Sequence, residues 1–259
     1  MKTVELLSKI AVEAGKIVLD SANERYTMRF KSRSSDIVTE IDIRSQEHII
    51  SRLKKEIPEA VFVAEESNET AIPEGEWIFI IDPIDGTLNF SHGLPYFAIS
   101  IARADGDLLK EGVVYSPASN ELFCAETGKG AFLNGRKIYN KKMCSLSEAL
   151  AVTGWPYNEA LMKWTLSSIQ TMYNRVQEIR IIGSAALELC YLAAGRCDLY
   201  WEVGLKPWDT AAGVVIAREA GISVGGIHSD AYRLQSGEIL AAVPSVYEEA
   251  KKYLRKDEN

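Results

Sequence analysis

One stretch limits the folds open to this chain more than any other: Trp77-Ile78-Phe79-Ile80-Ile81-Asp82-Pro83-Ile84-Asp85-Gly86-Thr87. An apolar strand runs straight into two carboxylates, a glycine, a hydroxyl and the start of a helix. Carboxylates three residues apart, on a turn fixed by Pro83, suit hard cations bound through oxygen. The free N–H groups of a helix start suit an anion. Metal and phosphate are invited to one spot, which points to metal-assisted phosphate chemistry.

The rest of the chain surrounds that stretch with alternating elements. Apolar residues at Val4, Leu7, Ala11, Ala14 and Val18 form a helical stripe over residues 3–22, and a second helix is predicted from Asp42 to Ile57, stopped by Pro58. Val61–Ala64 reads as a strand that delivers Glu65 and Glu66, and residues 76–81 as a strand that delivers Asp82. Residues 96–126 read as a β-meander, extended by Gly130–Leu133 and a turn at Asn134-Gly135. Strands at 150–153, 179–182, 199–203 and 239–243 alternate with helices at 158–176, 184–194, 209–221 and 245–254. Such alternation predicts layered sheets and helices, an α/β (mixed α+β) chain in two halves. The polar, aperiodic stretch from Tyr139 to Ser145 places the boundary, giving an N-terminal α/β domain over 1–143 and a C-terminal one over 144–259.

Composition narrows the function. With 259 residues, 47% hydrophobic and 25% charged, the chain is an ordinary globular one with room for two moderate domains. Its formal charge of −7 argues against nucleic acid or an anionic membrane as partner. No apolar run is long enough to span a bilayer, and Glu5, Lys9 and Glu13 interrupt any signal-peptide core, so the cytoplasm is the expected location. Cys124, Cys144, Cys190 and Cys197 form no CxxC pair, which excludes a zinc site of the usual spacing and leaves reduced, buried thiols as the expectation.

Four acids stand where strands end or helices begin: Glu65, Asp82, Asp85 and Asp209. Strand ends are where side chains converge on a cleft between layers. Mg²⁺ takes near-octahedral oxygen coordination and keeps several waters, so a few carboxylates and the Ile84 carbonyl suffice. Taken singly, each acid has a plainer reading: Asp209 as a helix N-cap, Glu65-Glu66 as a solvated pair, Asp82-x-x-Asp85 as a turn. Their joint occurrence favours the site.

These residues carry a resemblance. Asp82-Pro-Ile-Asp-Gly-Thr-Leu-Asn-Phe90 resembles the first signature of the inositol monophosphatase family, and Lys206-Pro-Trp-Asp-Thr-Ala-Ala-Gly213 its second, in the form of bacterial members. Ala64-Glu-Glu-Ser67, Asp36-Ile-Val-Thr-Glu-Ile-Asp42 and Gly183-Ser-Ala-Ala186 extend it over nearly the whole chain. The resemblance implies an αβαβα sandwich of sugar-phosphatase type and a Mg²⁺-dependent, lithium-sensitive phosphomonoesterase. Glu65, Asp82 and the Ile84 carbonyl would hold one Mg²⁺, and Asp82, Asp85 and Asp209 a second. A third would lie near Glu65, by a loop matching Lys31-Ser-Arg-Ser-Ser35. Glu65 and Thr87 would accept or orient the proton of a metal-bound water, and Asp42 would hydrogen-bond the Thr87 hydroxyl. Phosphate would meet the Gly86 and Thr87 amides. The organic part would meet Asp85, Gly183, Ser184, Ala185, Glu202 and Asp209.

The chain departs from the family pattern at Phe79, where Trp is usual (Trp77 stands two residues earlier), at Ala64 in place of Gly, and at Gly221-Ile222 in place of Gly-Gly. These read as packing or turn positions. The expected substrate is myo-inositol monophosphate, and the expected assembly a homodimer. Fructose 1,6-bisphosphate, alone or alongside inositol phosphates, is the first rival; Arg180, Arg196 and Lys206 stand in the half where a second phosphate would need a cation. Adenosine 3′,5′-bisphosphate and NADP rank lower, because adenosine-phosphate enzymes carry Lys where this chain has Leu88. A non-catalytic binding protein on the same fold is a further alternative, disfavoured by the complete carboxylate set.

Overall fold

A computed structural model describes residues 2–22, 26–31, 36–67 and 71–255. Of the Lys31–Ser35 loop only Lys31 is among them; residues 32–35 lie outside. Among the described residues the strands form three sheets. A short antiparallel ribbon pairs β1 (Met28–Phe30) with β2 (Ile37–Thr39). The second sheet runs in chain order through β3 (Val61–Ala64), β4 (Ile78–Asp85), β5 (Ala98–Asp105), β6 (Leu108–Ser116), β7 (Glu121–Glu126), β8 (Gly130–Leu133) and β9 (Arg136–Ile138). Only its β3–β4 pair is parallel. The third contains β10 (Leu150–Thr153), β11 (Glu178–Arg180), β12 (Leu199–Val203), β13 (Ser223–Gly225) and β14 (Glu238–Ala242), in the order β11-β10-β12-β14-β13.

Helices cover the sheets in layers. Helices α1 (Thr3–Ser21) and α2 (Glu40–Glu56) pack on one face of the seven-stranded sheet. After the one-turn α3 (Thr87–Ser91) and the outer α4 (Glu159–Tyr173), helices α5 (Ala185–Ala193) and α6 (Pro207–Glu219) lie between the two large sheets. With α7 (Pro244–Leu254), α4 closes the far side. The result is the αβαβα sandwich expected from the sequence.

The strand sequences explain the layering. In β4, Ile78 and Ile80 join the core against α5 and α6, while Phe79 and Ile81 join the core against α1 and α2. A strand covered on both faces is apolar throughout, with successive side chains pointing to opposite layers. On β5 the small residues Ala98, Ala102 and Ala104 face the inner helices, and Ile99 and Ile101 face the outer pair. The inner helices therefore approach closely: a Cβ at Gly112 of β6 would stand 2.4 Å from the Ala212 carbonyl oxygen of α6. Phe79, where the family shows Trp, is fully buried and stacks on Phe62 at 6.1 Å between ring centroids. Ala64 is buried as well, so both departures are packing positions. The ribbon β1–β2 and the short strands β9 and β13 were not expected; each has only three residues, too few to show a period.

Candidate active site

The expected turn at Pro83 is instead a bulge. Strand β4 does not stop at Ile81 but continues through both aspartates: Asp82 lies opposite Ser100 and Asp85 opposite Ala98 on β5, with a register shift between them. Pro83 has no N–H for the ladder, and a bulge absorbs the extra residue without ending the strand. The distorted segment is pinned from both sides. The Ile84 N–H donates to Asp82 Oδ1 at 3.1 Å, and the Ser45 hydroxyl of α2 donates to the Pro83 carbonyl at 3.0 Å. Gly86 then turns the chain into α3 with φ of 93°, and a Cβ there would stand 2.7 Å from the Tyr96 carbonyl oxygen. The position needs glycine for its left-handed backbone and for its space.

The other acids arrive from separate elements. Glu65 and Glu66 open a 3₁₀ turn at the end of β3, where the Gln46 side chain accepts from the Glu66 N–H at 3.0 Å. Lys31 Nζ, carried by the ribbon, donates to both carboxylates at 2.7 Å. Asp209 is the third residue of α6 rather than the cap before it. One of its oxygens accepts from the Lys206 N–H at 2.6 Å and Pro207 opens the helix, a capping arrangement that leaves the other oxygen for the pocket. Asp42 likewise lies one turn inside α2. Thr39 caps that helix, and Asp42 Oδ2 accepts from the Thr39 N–H at 2.8 Å and its hydroxyl at 2.5 Å. Its other oxygen is 2.8 Å from the Thr87 hydroxyl, which also lies 2.9 Å from the Ile84 carbonyl.

Across the pocket, Asp85 Oδ2 accepts from the Ser184 hydroxyl at 2.5 Å and the Ala186 N–H at 2.8 Å, tying β4 to the start of α5. Asn89 reinforces that join by donating to the Tyr96 and Ile182 carbonyls, each at 2.8 Å. Glu202, on β12, accepts from the Tyr200 hydroxyl at 2.8 Å. One cavity of about 320 Å³ is lined by Glu65, Asp82, Ile84, Asp85, Gly86, Thr87, Gly183, Ser184, Ala185, Glu202 and Asp209. Every site position inferred from the sequence except Asp42 lines it, and Asp42 supports Thr87 from behind.

Electrostatics mark this cavity as short of positive charge. Burial raises the Asp82 pKa well above the usual carboxyl range, and the charges of Glu65, Asp85 and Asp209 push it further. Burial also raises Asp209 and Glu65. It lifts Asp85 to about 6 against the Ser184 and Ala186 hydrogen bonds, and Glu202 to about 7 against the Tyr200 hydroxyl. Glu66 is raised to about 7 by burial and by Glu65. Burial opposes the Lys31 ammonium, but Glu65 and Glu66 outweigh it and raise its pKa. Hard oxygen donors on buried carboxyls, with the Lys31 ammonium on Glu65 outside the cavity lining, fit a divalent cation. As they stand, no three His, Cys, Asp or Glu side chains among the described residues are drawn close enough to hold one ion. Asp82, Asp85 and Asp209 each have an oxygen engaged by an N–H or hydroxyl.

Some neighbours were not legible in the sequence. Glu188 resembles a solvated helical acid but is fully buried, with one oxygen accepting from the Ile182 N–H at 2.9 Å and the other unpartnered. Trp155 and Tyr157, on the loop between β10 and α4, also line the cavity. Of the three cations considered for a second phosphate, Arg196 is paired with Glu121 and packed over Tyr191, and Arg180 is 3.5 Å from Glu178. Lys206 lines a neighbouring cleft rather than this one. Among the described residues no lysine or arginine lines the cavity.

This layered architecture is that of phosphate-ester hydrolases of the sugar-phosphatase type. The chain belongs to the inositol monophosphatase family, whose model matches residues 2–257. It is 44% identical over 191 residues to the fructose-1,6-bisphosphatase/inositol-1-monophosphatase of Thermotoga maritima, covering 74% of this chain and 72% of that one. It is 40% identical over 227 residues to the Nus factor SuhB of Vibrio cholerae, covering 87% and 85%. Among solved structures, the extragenic suppressor protein SuhB of Bartonella henselae matches with a TM-score of 0.90 and 34% identity, covering 97% of this chain and 98% of that one. The chain is therefore a phosphoric monoester hydrolase of that family. Among the described residues, no helix is long and apolar enough to cross a membrane.

Proposed function

We propose that the chain hydrolyses myo-inositol monophosphate to myo-inositol and phosphate, with Mg²⁺ as cofactor. The observation that carries this reading is the convergence of acids from three separate motifs on one cavity that also holds Glu202, an acceptor for polyol hydroxyls. Glu65, Asp82 and the Ile84 carbonyl would hold one ion, and Asp82, Asp85 and Asp209 a second. A third would lie by Glu65, where the Lys31 ammonium now donates. Bound there, the ions would offset phosphate charge and make a coordinated water more acidic.

The protein's own groups do the rest. Thr87, its hydroxyl held by Asp42, orients the attacking water, and Glu65 accepts its proton. The Gly86 and Thr87 amides meet the phosphate oxygens where the left-handed backbone of Gly86 turns the chain into α3. Glu202 accepts hydroxyls of the leaving polyol, while Asp85, Gly183, Ser184, Ala185 and Asp209 bound its seat. Fructose 1,6-bisphosphate is the second reading, because the Thermotoga maritima relative is named for both activities. The lack of a lining lysine or arginine among the described residues disfavours its second phosphate.

The proposal extends to a cytoplasmic homodimer, which light scattering reads as twice the mass of one chain. A panel of kcat/KM values for inositol 1-phosphate, fructose 1,6-bisphosphate, 2′-AMP and adenosine 3′,5′-bisphosphate tests the substrate. Inositol 1-phosphate is expected to lead; a clear lead for the sugar bisphosphate would overturn the choice.

A further inference from the structure

The cavity has two unlike walls. Its floor and one side are carboxylates and the Ser184 hydroxyl, but its mouth is apolar. Trp155 and Tyr157 stand on one lip, and Leu88 and Ile181 line the cavity too. All four keep over a third of their surface exposed, at 46%, 55%, 37% and 38%. Scattered exposed apolar residues mean little, but four that line one catalytic cavity are a surface kept open for a ligand.

The lip is built against the polar wall. Gly154 packs so closely on Glu202 that a Cβ there would stand 2.3 Å from the carboxylate oxygens. The residue that presents Trp155 is thus in contact with the acceptor for the substrate's hydroxyls. Although more than half of the Tyr157 surface is exposed, desolvation of its hydroxyl and the charges of Asp36, Asp209, Glu65 and Asp85 raise its pKa, so the hydroxyl remains a donor.

We infer that Trp155 and Tyr157 are specificity residues that select a cyclic leaving alcohol, its C–H face stacked on Trp155 and its hydroxyls turned to Glu202. A six-membered polyol ring with mostly equatorial hydroxyls has such a face: axial C–H bonds project from one side, and hydroxyl donors surround the rim. The negative face of an indole favours C–H groups polarised by neighbouring oxygens. An acyclic alcohol has no such face to offer and gains little from the lip. The inference rests on the phosphatase reading and adds the group that discriminates among its substrates.

The test compares kcat/KM for inositol 1-phosphate and for the acyclic glycerol 2-phosphate in wild type, Trp155→Ala and Trp155→Phe, with Mg²⁺ present. The ratio of the two is expected to fall about tenfold in the alanine variant, mainly through KM for the ring substrate, as loss of one aromatic contact implies. Phenylalanine, which restores an aromatic face, should keep the ratio within about twofold of wild type. An unchanged ratio in the alanine variant would overturn the inference, as would an equal fall in both variants. If 2′-AMP is preferred over inositol 1-phosphate and Trp155→Ala erases that preference, the lip takes a nucleobase and the polyol assignment is wrong. A wild type that releases phosphate from none of the three contradicts the phosphatase reading itself, and this inference with it.

Discussion

Strand β4 contains two segments of four residues that obey opposite rules. Ile78–Ile81 pair in regular register with β5, alternate between two apolar cores and are fully buried or nearly so. Asp82–Asp85 are buried as well, yet they include two carboxylates and interrupt the ladder, and Asp82 is repelled by the charges of Glu65 and Asp209. The first segment holds the sandwich together. The second gives up stability, and under the proposed function it is where a cation and a phosphate would be bound.

The comparison breaks most sharply at Asp82. Replacing it by Asn removes one charge from the cluster and the proposed bridging ligand, so Mg²⁺-dependent phosphate release should drop by roughly a thousandfold or more. The same change should leave the metal-free protein at pH 8 as stable as wild type or more so, because a buried, repelled carboxylate is gone. Ile80→Ala, two residues away, should do the reverse. It should cost about 2–4 kcal/mol in denaturant unfolding while leaving kcat near wild type. A loss of turnover at Ile80 matching that at Asp82 would show that the two segments are not separable.

A smaller effect comes from pH. Asp85 and Glu202 are raised to about 6 and about 7, and Asp82, Glu65 and Asp209 are raised too. A carboxyl with a higher pKa folded than unfolded favours the native state at acid pH. That contribution is full below the unfolded value near about 4 and is lost as pH rises through the folded value. The Tm of metal-free protein should therefore fall by a few degrees between pH 5 and 8, and saturating Mg²⁺ should flatten the slope. A Tm that rises over that window without metal would contradict the cluster's electrostatics. Smallest of all, Thr39→Ala removes the α2 cap and one support of Asp42, with an expected cost of about 1 kcal/mol in unfolding.

The same two segments show what a sequence makes legible. Apolar runs and alternating elements announce the layers, because burial on both faces leaves a plain signature in residue type. The acids that line the cavity are readable through their motifs, although Asp82 lies within β4 and not at its end. What the sequence did not show depends on pairings between distant residues. The bulge at Pro83 needs β5 beside it, and the capping roles of Asp42 and Asp209 depend on helices that each start two residues earlier than expected from the sequence. Glu188 has no local mark of burial, and Trp155 and Tyr157 look like ordinary loop aromatics until the loop is seen over the cavity.

The most direct test of the carboxylate cluster's role is phosphate release from inositol 1-phosphate as Mg²⁺ is titrated, in wild type and in Asp209→Asn. The proposed function requires a saturable rise in wild type and little or none in the variant at any Mg²⁺ concentration. Release by the variant equal to wild type, or release by wild type without Mg²⁺, would contradict it.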